Sequence, residues 1–135
     1  MGLVKSGCLI LSLFIIGLYG CTMENQTIQN ITVSEAQQII EENKENINFL
    51  VIDVRTPEEY NEGHIEGAVN IDIYAADFKD RLSQLNIDKK YLVHCRSGSR
   101  SNEATNMMKD LEFKEVYHMN EGILGWQEKN LPLVK

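Results

Sequence analysis

Cys95 is followed by Arg96-Ser97-Gly98-Ser99-Arg100, so an ionisable sulfur precedes a short loop carrying two cations, two hydroxyls and a glycine. The thiolate is the nucleophilic form of cysteine, and cationic neighbours favour it over the thiol. The apolar run Tyr91-Leu92-Val93 leads into Cys95, and a helical pattern begins at about Ser101. A strand therefore hands the sulfur to a helix N-terminus, where free N–H groups and the helix dipole attract an anion. Gly98 lets the loop curl so that successive N–H groups point inward as a nest. A cysteine that only fills core space needs no such loop. His94 precedes Cys95 on the strand, so its side chain points to the opposite face and reads as structural.

Asp53, Arg55, Glu59 and His64 form a second polar cluster, after the run Phe49 to Val54. Carboxylates and cations in this position tie loops together by hydrogen bonds and ion pairs, and structural support is their expected role. No zinc-type ligand spacing occurs, and neither a metal nor another cofactor is expected.

Several elements must position these residues. Thr32-Val33-Ser34-Glu35 is a capping-box pattern, and Ala36, Ile39 and Ile40 give the helix behind it an apolar face. Phe49 to Val54 is nearly all apolar, as a strand covered on both faces would be. Asp77 is placed to cap a helix containing Phe78, Leu82 and Leu85; Ala104, Met107, Met108 and Leu111 mark the face of the helix after the loop; Val116 to Met119 suit a short strand. Trp126 reads as a core anchor. This alternation predicts a single α/β domain with a largely parallel central sheet flanked by helices. Ligands of such sheets bind beyond the strand carboxyl ends, where Cys95 falls.

The six-residue loop from Cys95 to Arg100 resembles the active-site loop of the rhodanese (sulfurtransferase) family. The resemblance extends to Asp53-Val54-Arg55-Thr56-Pro57-Glu58-Glu59-Tyr60, to Gly63-His64-Ile65-Glu66-Gly67-Ala68-Val69-Asn70-Ile71 and to Gly122-Ile123-Leu124-Gly125-Trp126, and covers about Ile31 to Leu133. This chain has Glu121-Gly122 where family members often pair two glycines. It also has Asn130 where they often have a glycine, and Asn tolerates the left-handed conformation better than most residues. The resemblance implies a rhodanese-like domain in which Cys95 is the nucleophile and carries a sulfane sulfur as a persulfide. Arg96, Ser97, Gly98, Ser99 and Arg100 would bind the substrate. The implied partners are a small anionic sulfur donor such as thiosulfate and a thiol or cyanide acceptor. Two other classes stay open: an arsenate reductase or phosphatase of the related loop type, whose loop is longer in related phosphatases, and a noncatalytic tethered module that binds a partner or senses oxidants.

The N-terminus carries a different signal. Lys5 is the only charge before Glu24, and Cys8 to Tyr19 is almost continuously apolar. That run is shorter than the roughly 20 residues of a membrane span and suits the apolar region of a signal peptide. Leu18-Tyr19-Gly20-Cys21 resembles a bacterial lipoprotein signal. Residues 1–20 are thus expected to be a lipoprotein signal peptide, residues 21–30 a polar tether starting at a lipidated Cys21, and residues 31–135 the rhodanese-like domain. The expected location is the cell envelope, on a bacterial membrane and facing outside the cytoplasm, where a reduced Cys95 leaves room for a redox protein partner. With 20 acidic against 13 basic residues the net charge is −7, and nucleic acid is not an expected partner. Of the three cysteines, Cys8, Cys21 and Cys95, only the last is left as a free thiol in such a mature chain.

Overall fold

The computed structural model describes residues 25–135. Five strands, β1 (Thr27–Ile31), β2 (Phe49–Asp53), β3 (Val69–Asn70), β4 (Lys90–His94) and β5 (Glu115–Met119), form one sheet in the order β1-β5-β4-β2-β3. Every pair is parallel, with β4 at the centre. Five helices connect or follow them: α1 (Val33–Glu42), α2 (Pro57–Glu62), α3 (Phe78–Ser83), α4 (Ser99–Asp110) and α5 (Gly122–Glu128).

Strand alternation divides the core between the two faces of the sheet. Ile52, Tyr91, Val93, Cys95 and Val116 pack with Phe78 and Leu82 of α3 and Ala104 and Met108 of α4. Val51, Leu92 and Met119 pack on the other face with Val33 and Ala36 of α1 and Ile123 and Trp126 of α5. The α/β class and parallel sheet are as the pattern of apolar runs predicts, and Trp126 anchors the second cluster at 4% exposure.

Local signals explain the helix starts. Thr32 caps α1 and Glu35 returns the bond to the Thr32 N–H, completing the expected capping box. Thr56 and Glu59 repeat the device at α2, with Pro57 in the first turn. Asp77 holds the N-cap position of α3, but its side chain makes no capping bond; Leu85 lies beyond the helix end and still packs on the core. Asn130 takes φ 55°, the left-handed conformation its residue type tolerates.

One boundary needs correction. Residues 27–30, expected within the tether, belong to β1, which pairs with β5 from Thr27↔Glu115 to Ile31↔Met119. An edge strand is held by its backbone ladder and buries little, so Thr27, Gln29 and Asn30 show no hydrophobic period. Residues 1–20 and Cys21, with the signal and lipidation expected there, lie outside the described residues.

Candidate active site

Cys95 follows the last residue of β4, and Gly98, at φ 102°, is the N-cap of α4. The helix thus begins two residues earlier than its apolar face suggests, because Ser99 is exposed and Arg100 turns to Glu59 instead of the core. Gly98 is required twice: its φ disfavours other residues, and a Cβ there would lie 2.2 Å from the Asn120 carbonyl oxygen. The Gly98 N–H donates to the Cys95 sulfur at 3.1 Å.

The loop keeps this shape because another helix holds its carbonyls. The first free N–H groups of α5 are spent on it: Ile123 donates to the Cys95 carbonyl at 2.9 Å and Leu124 to that of Arg96 at 3.1 Å. With the carbonyls turned to α5, the loop's own N–H groups turn to the sulfur. Gly122 allows the approach, since a Cβ there would meet the Arg96 oxygen at 2.3 Å. Glu121, standing where paired glycines were the comparison, accepts the Val33 N–H at 2.7 Å and links α5 to α1.

Burial pushes the Cys95 thiol up, but the Ser101 hydroxyl and the N–H groups of Ser101, Gly98 and Ser97 outweigh it and leave it below the ordinary cysteine value. Hydrogen-bond donors lead this lowering, ahead of the cationic loop residues first suspected. The sulfur itself sits at the floor of the loop, with Cys95 only 1% exposed.

The two arginines have different situations. Arg100 is committed to Glu59 by a fork of two bonds, 2.7 and 2.8 Å, and its guanidinium lies 5.7 Å from the ring centroid of the exposed Tyr74. The Arg100 fork draws Glu59 down from 4.5 to about 2. Arg96 and Ser97 are exposed at the loop tip, and Ser99 opens α4 with its side chain in solvent. Arg96 borders a cleft of about 250 Å³ shared with Arg55, Glu59, Ile123 and Leu133.

Of the expected support residues, Glu59 goes to Arg100, while Asp53 and Arg55 pair beside the loop on the other face of the sheet. Asp53 and Arg55 are 0% and 5% exposed and pair at 2.6 Å, while Arg55 also reaches the Gly63 carbonyl at 2.8 Å. His64 stacks on Tyr60 at 3.7 Å and bridges to Val134 by its backbone. His94 points to the face opposite Cys95, as strand alternation requires, and its Nδ1 meets the Cys95 carbonyl at 3.1 Å. Its Nε2 is buried without a hydrogen-bond partner, 3.8 Å from Asp53. Burial holds this imidazole below the ordinary histidine value, so it stays neutral.

Ser101, His118 and Asn30 were not singled out by residue type or spacing. The Ser101 hydroxyl lies 3.3 Å from the Cys95 sulfur and 2.7 Å from His118 Nε2, and His118 Nδ1 lies 2.8 Å from Asn30 Oδ1. Only the period of α4 offered a clue, since it turns Ser101 back under the sulfur.

Comparisons with known proteins agree with this geometry. The chain is 32% identical to the putative sulfurtransferase YtwF of Bacillus subtilis over 78% of its length and 96% of that protein's. It is 30% identical to a sulfurtransferase of Allochromatium vinosum, covering 64% of this chain and 79% of the relative. The crystal structure of a rhodanese-related protein from Thermoplasma volcanium superposes with a TM-score of 0.60 at 29% identity, over 82% of this chain and 97% of that one. The sequence model of the rhodanese-like domain matches residues 32–129, from the α1 cap through α5, and the chain belongs to that family.

Proposed function

We propose that this protein is a sulfurtransferase that moves a sulfane sulfur from a donor such as thiosulfate to a thiophilic acceptor through a persulfide on Cys95. The Cys95 thiolate attacks the outer sulfur of thiosulfate; the S–S bond breaks and its electron pair leaves with sulfite. An acceptor thiolate or cyanide then attacks the outer sulfur of the persulfide and releases Cys95 as thiolate. The observation that carries this reading is the six-residue loop whose N–H groups converge on a single buried sulfur, 3.1 Å from the Gly98 nitrogen. The same donors stabilise the persulfide anion, as an oxyanion hole stabilises developing charge. Arg96, free at the loop tip, meets the donor's anionic oxygens, while Arg100 holds the loop to α2. Sulfurtransferase names among relatives near 30% identity support the class of reaction.

Intact mass spectrometry of the full chain before and after thiosulfate tests the proposal. A gain of one sulfur atom, lost on adding cyanide or a thiol and absent in Cys95→Ser, is expected. No gain with thiosulfate or other sulfane donors, in folded and reduced protein, would move the assignment to oxyanion reduction, phosphate-ester hydrolysis or partner binding. The lipoprotein-like N-terminus supports a membrane-anchored protein outside the cytoplasm. Release of a Cys21→Ala variant from the membrane fraction is the expected result, and retention would point to an uncleaved anchor.

A further inference from the structure

Behind the Cys95 sulfur, on the face toward α4, runs a chain of hydrogen bonds. From the sulfur it passes to the Ser101 hydroxyl at 3.3 Å, then to His118 Nε2 at 2.7 Å, then from Nδ1 to Asn30 Oδ1 at 2.8 Å. Ser101 is 0% and His118 3% exposed, whereas Asn30 lies exposed on edge strand β1. The chain therefore connects a buried thiol to the surface.

The Ser101 hydroxyl also lies 3.1 Å from the Gly98 carbonyl oxygen, which already accepts the Asn102 N–H, and the shorter contact to His118 sets the direction of the chain. Asn30 Oδ1 can only accept, so His118 Nδ1 carries a hydrogen. The remaining nitrogen of a neutral imidazole then accepts from the Ser101 hydroxyl. Ser101 has one hydrogen, so its lone pairs are left facing the sulfur and the thiol donates to them. Every partner is satisfied in this state. Every partner is also satisfied after both hydrogens move one place: the S–H bond breaks, that proton joins Ser101, and the former Ser101 proton forms an N–H bond on Nε2. Thiolate and imidazolium result, and Ser101 now donates to the sulfur.

We propose that Ser101 and His118 are the proton path by which the Cys95 thiol ionises, with Ser101 the catalytic residue at the sulfur and His118 a positioning residue that receives the proton through it. Asn30 fixes the imidazole tautomer from β1. The groups facing His118 are Asn30 from β1, Ser101 from α4 and the Gly98 backbone, while its neighbour on β4 is Val93. Among the described residues no carboxylate pairs with it. Burial lowers the His118 pKa, offset in part by Gly98, so the neutral imidazole is its resting form. The inference rests on the sulfur-transfer reading for the purpose of the thiolate, but its test reads the thiol alone.

The pH profile of Cys95 alkylation by iodoacetamide is measured on the full chain and on His118→Gln, Ser101→Ala and the double variant, with Cys95→Ser as blank. Gln can accept the Ser101 hydrogen bond but cannot take a proton. The midpoint of His118→Gln is expected to move up by about one pH unit, and His118→Gln is expected to add nothing in the Ser101→Ala background. An unmoved or lowered midpoint, or an equal shift in both backgrounds, would overturn the proposal. Should either variant fail to fold, 15N resonances of the wild-type imidazole give the answer. The transfer releases no proton to solvent, so while the pair holds a single proton Nε2 should carry a pH-independent share of it, and that share should vanish after Cys95 is alkylated. An imidazole that is fully neutral throughout the range in which the pair holds one proton, or one unaffected by alkylation, would equally refute it.

Discussion

Two buried polar clusters flank the carboxyl end of the sheet, one on each face, and they are built on opposite principles. Asp53 and Arg55 carry fixed opposite charges joined at 2.6 Å, and Arg55 spends a further donor on the Gly63 carbonyl. Cys95, Ser101, His118 and Asn30 hold no ion pair and are joined by hydrogen bonds alone. A buried fixed charge is costly to leave unpaired and hence rigidifies its surroundings. A chain of neutral donors and acceptors can change protonation without an uncompensated charge. The comparison teaches that buried polar residues around this cysteine divide into those that pair as fixed charges and those joined by neutral hydrogen bonds. His94 and Cys95, adjacent in sequence, lie with different clusters because a strand alternates its faces.

Four substitutions sharpen the contrast, beginning with the most damaging. Asp53→Ala leaves Arg55 buried without its partner and should cost about 3–5 kcal/mol. Urea unfolding should show a large fall in midpoint, and a fall below 1 kcal/mol would mean that the pair does not anchor this face. Gly122→Ala forces φ 64° on a residue with a Cβ that meets the Arg96 carbonyl. The expected cost is roughly 2–3 kcal/mol together with loss of sulfur transfer, since the loop must retreat from α5. Full activity in this variant would show that the loop does not depend on that approach.

Glu59→Gln removes the fork to Arg100 on a partly exposed pair, for which solvent screening limits the expected loss to about 1 kcal/mol at neutral pH. The sign with pH follows from a lowered carboxylate. The stabilisation from Glu59 is complete above its ordinary value of 4.5 and is lost as pH falls toward about 2. Thermal melts of the variant and the parent should therefore converge between pH 4.5 and 2, and a constant gap would exclude the ion pair as the cause. Arg96→Ala touches neither cluster. It should leave stability within about 0.5 kcal/mol and raise the Michaelis constant for thiosulfate with little change in kcat. An unchanged constant would remove Arg96 from donor binding.

Much of this molecule could be read from local pattern. Thr32 and Glu35 announce α1 because a capping box lies within one turn. The loop from Cys95 to Arg100 is a contiguous segment, so its glycine, its cations and its position between strand and helix all show in eleven residues. Asn130 at φ 55° follows from a preference of its own side chain. Other features had no local trace. Nothing in the loop shows that Arg100 pairs with Glu59, 41 residues earlier. β1 reads as a tether because its pairing with β5 uses backbone groups that every sequence possesses.

The sequence by itself determined the class of fold and the short glycine-containing loop after Cys95, since each depends on neighbours a few residues apart. Tertiary structure alone decided which polar residues reach the sulfur. Ser101 meets His118 across 17 residues and His118 meets Asn30 across 88, and such contacts arise only when a parallel sheet lays β1 against β5 and α4 across them. Periodicity tells which face a residue occupies, whereas the partner it finds there depends on the order of the strands.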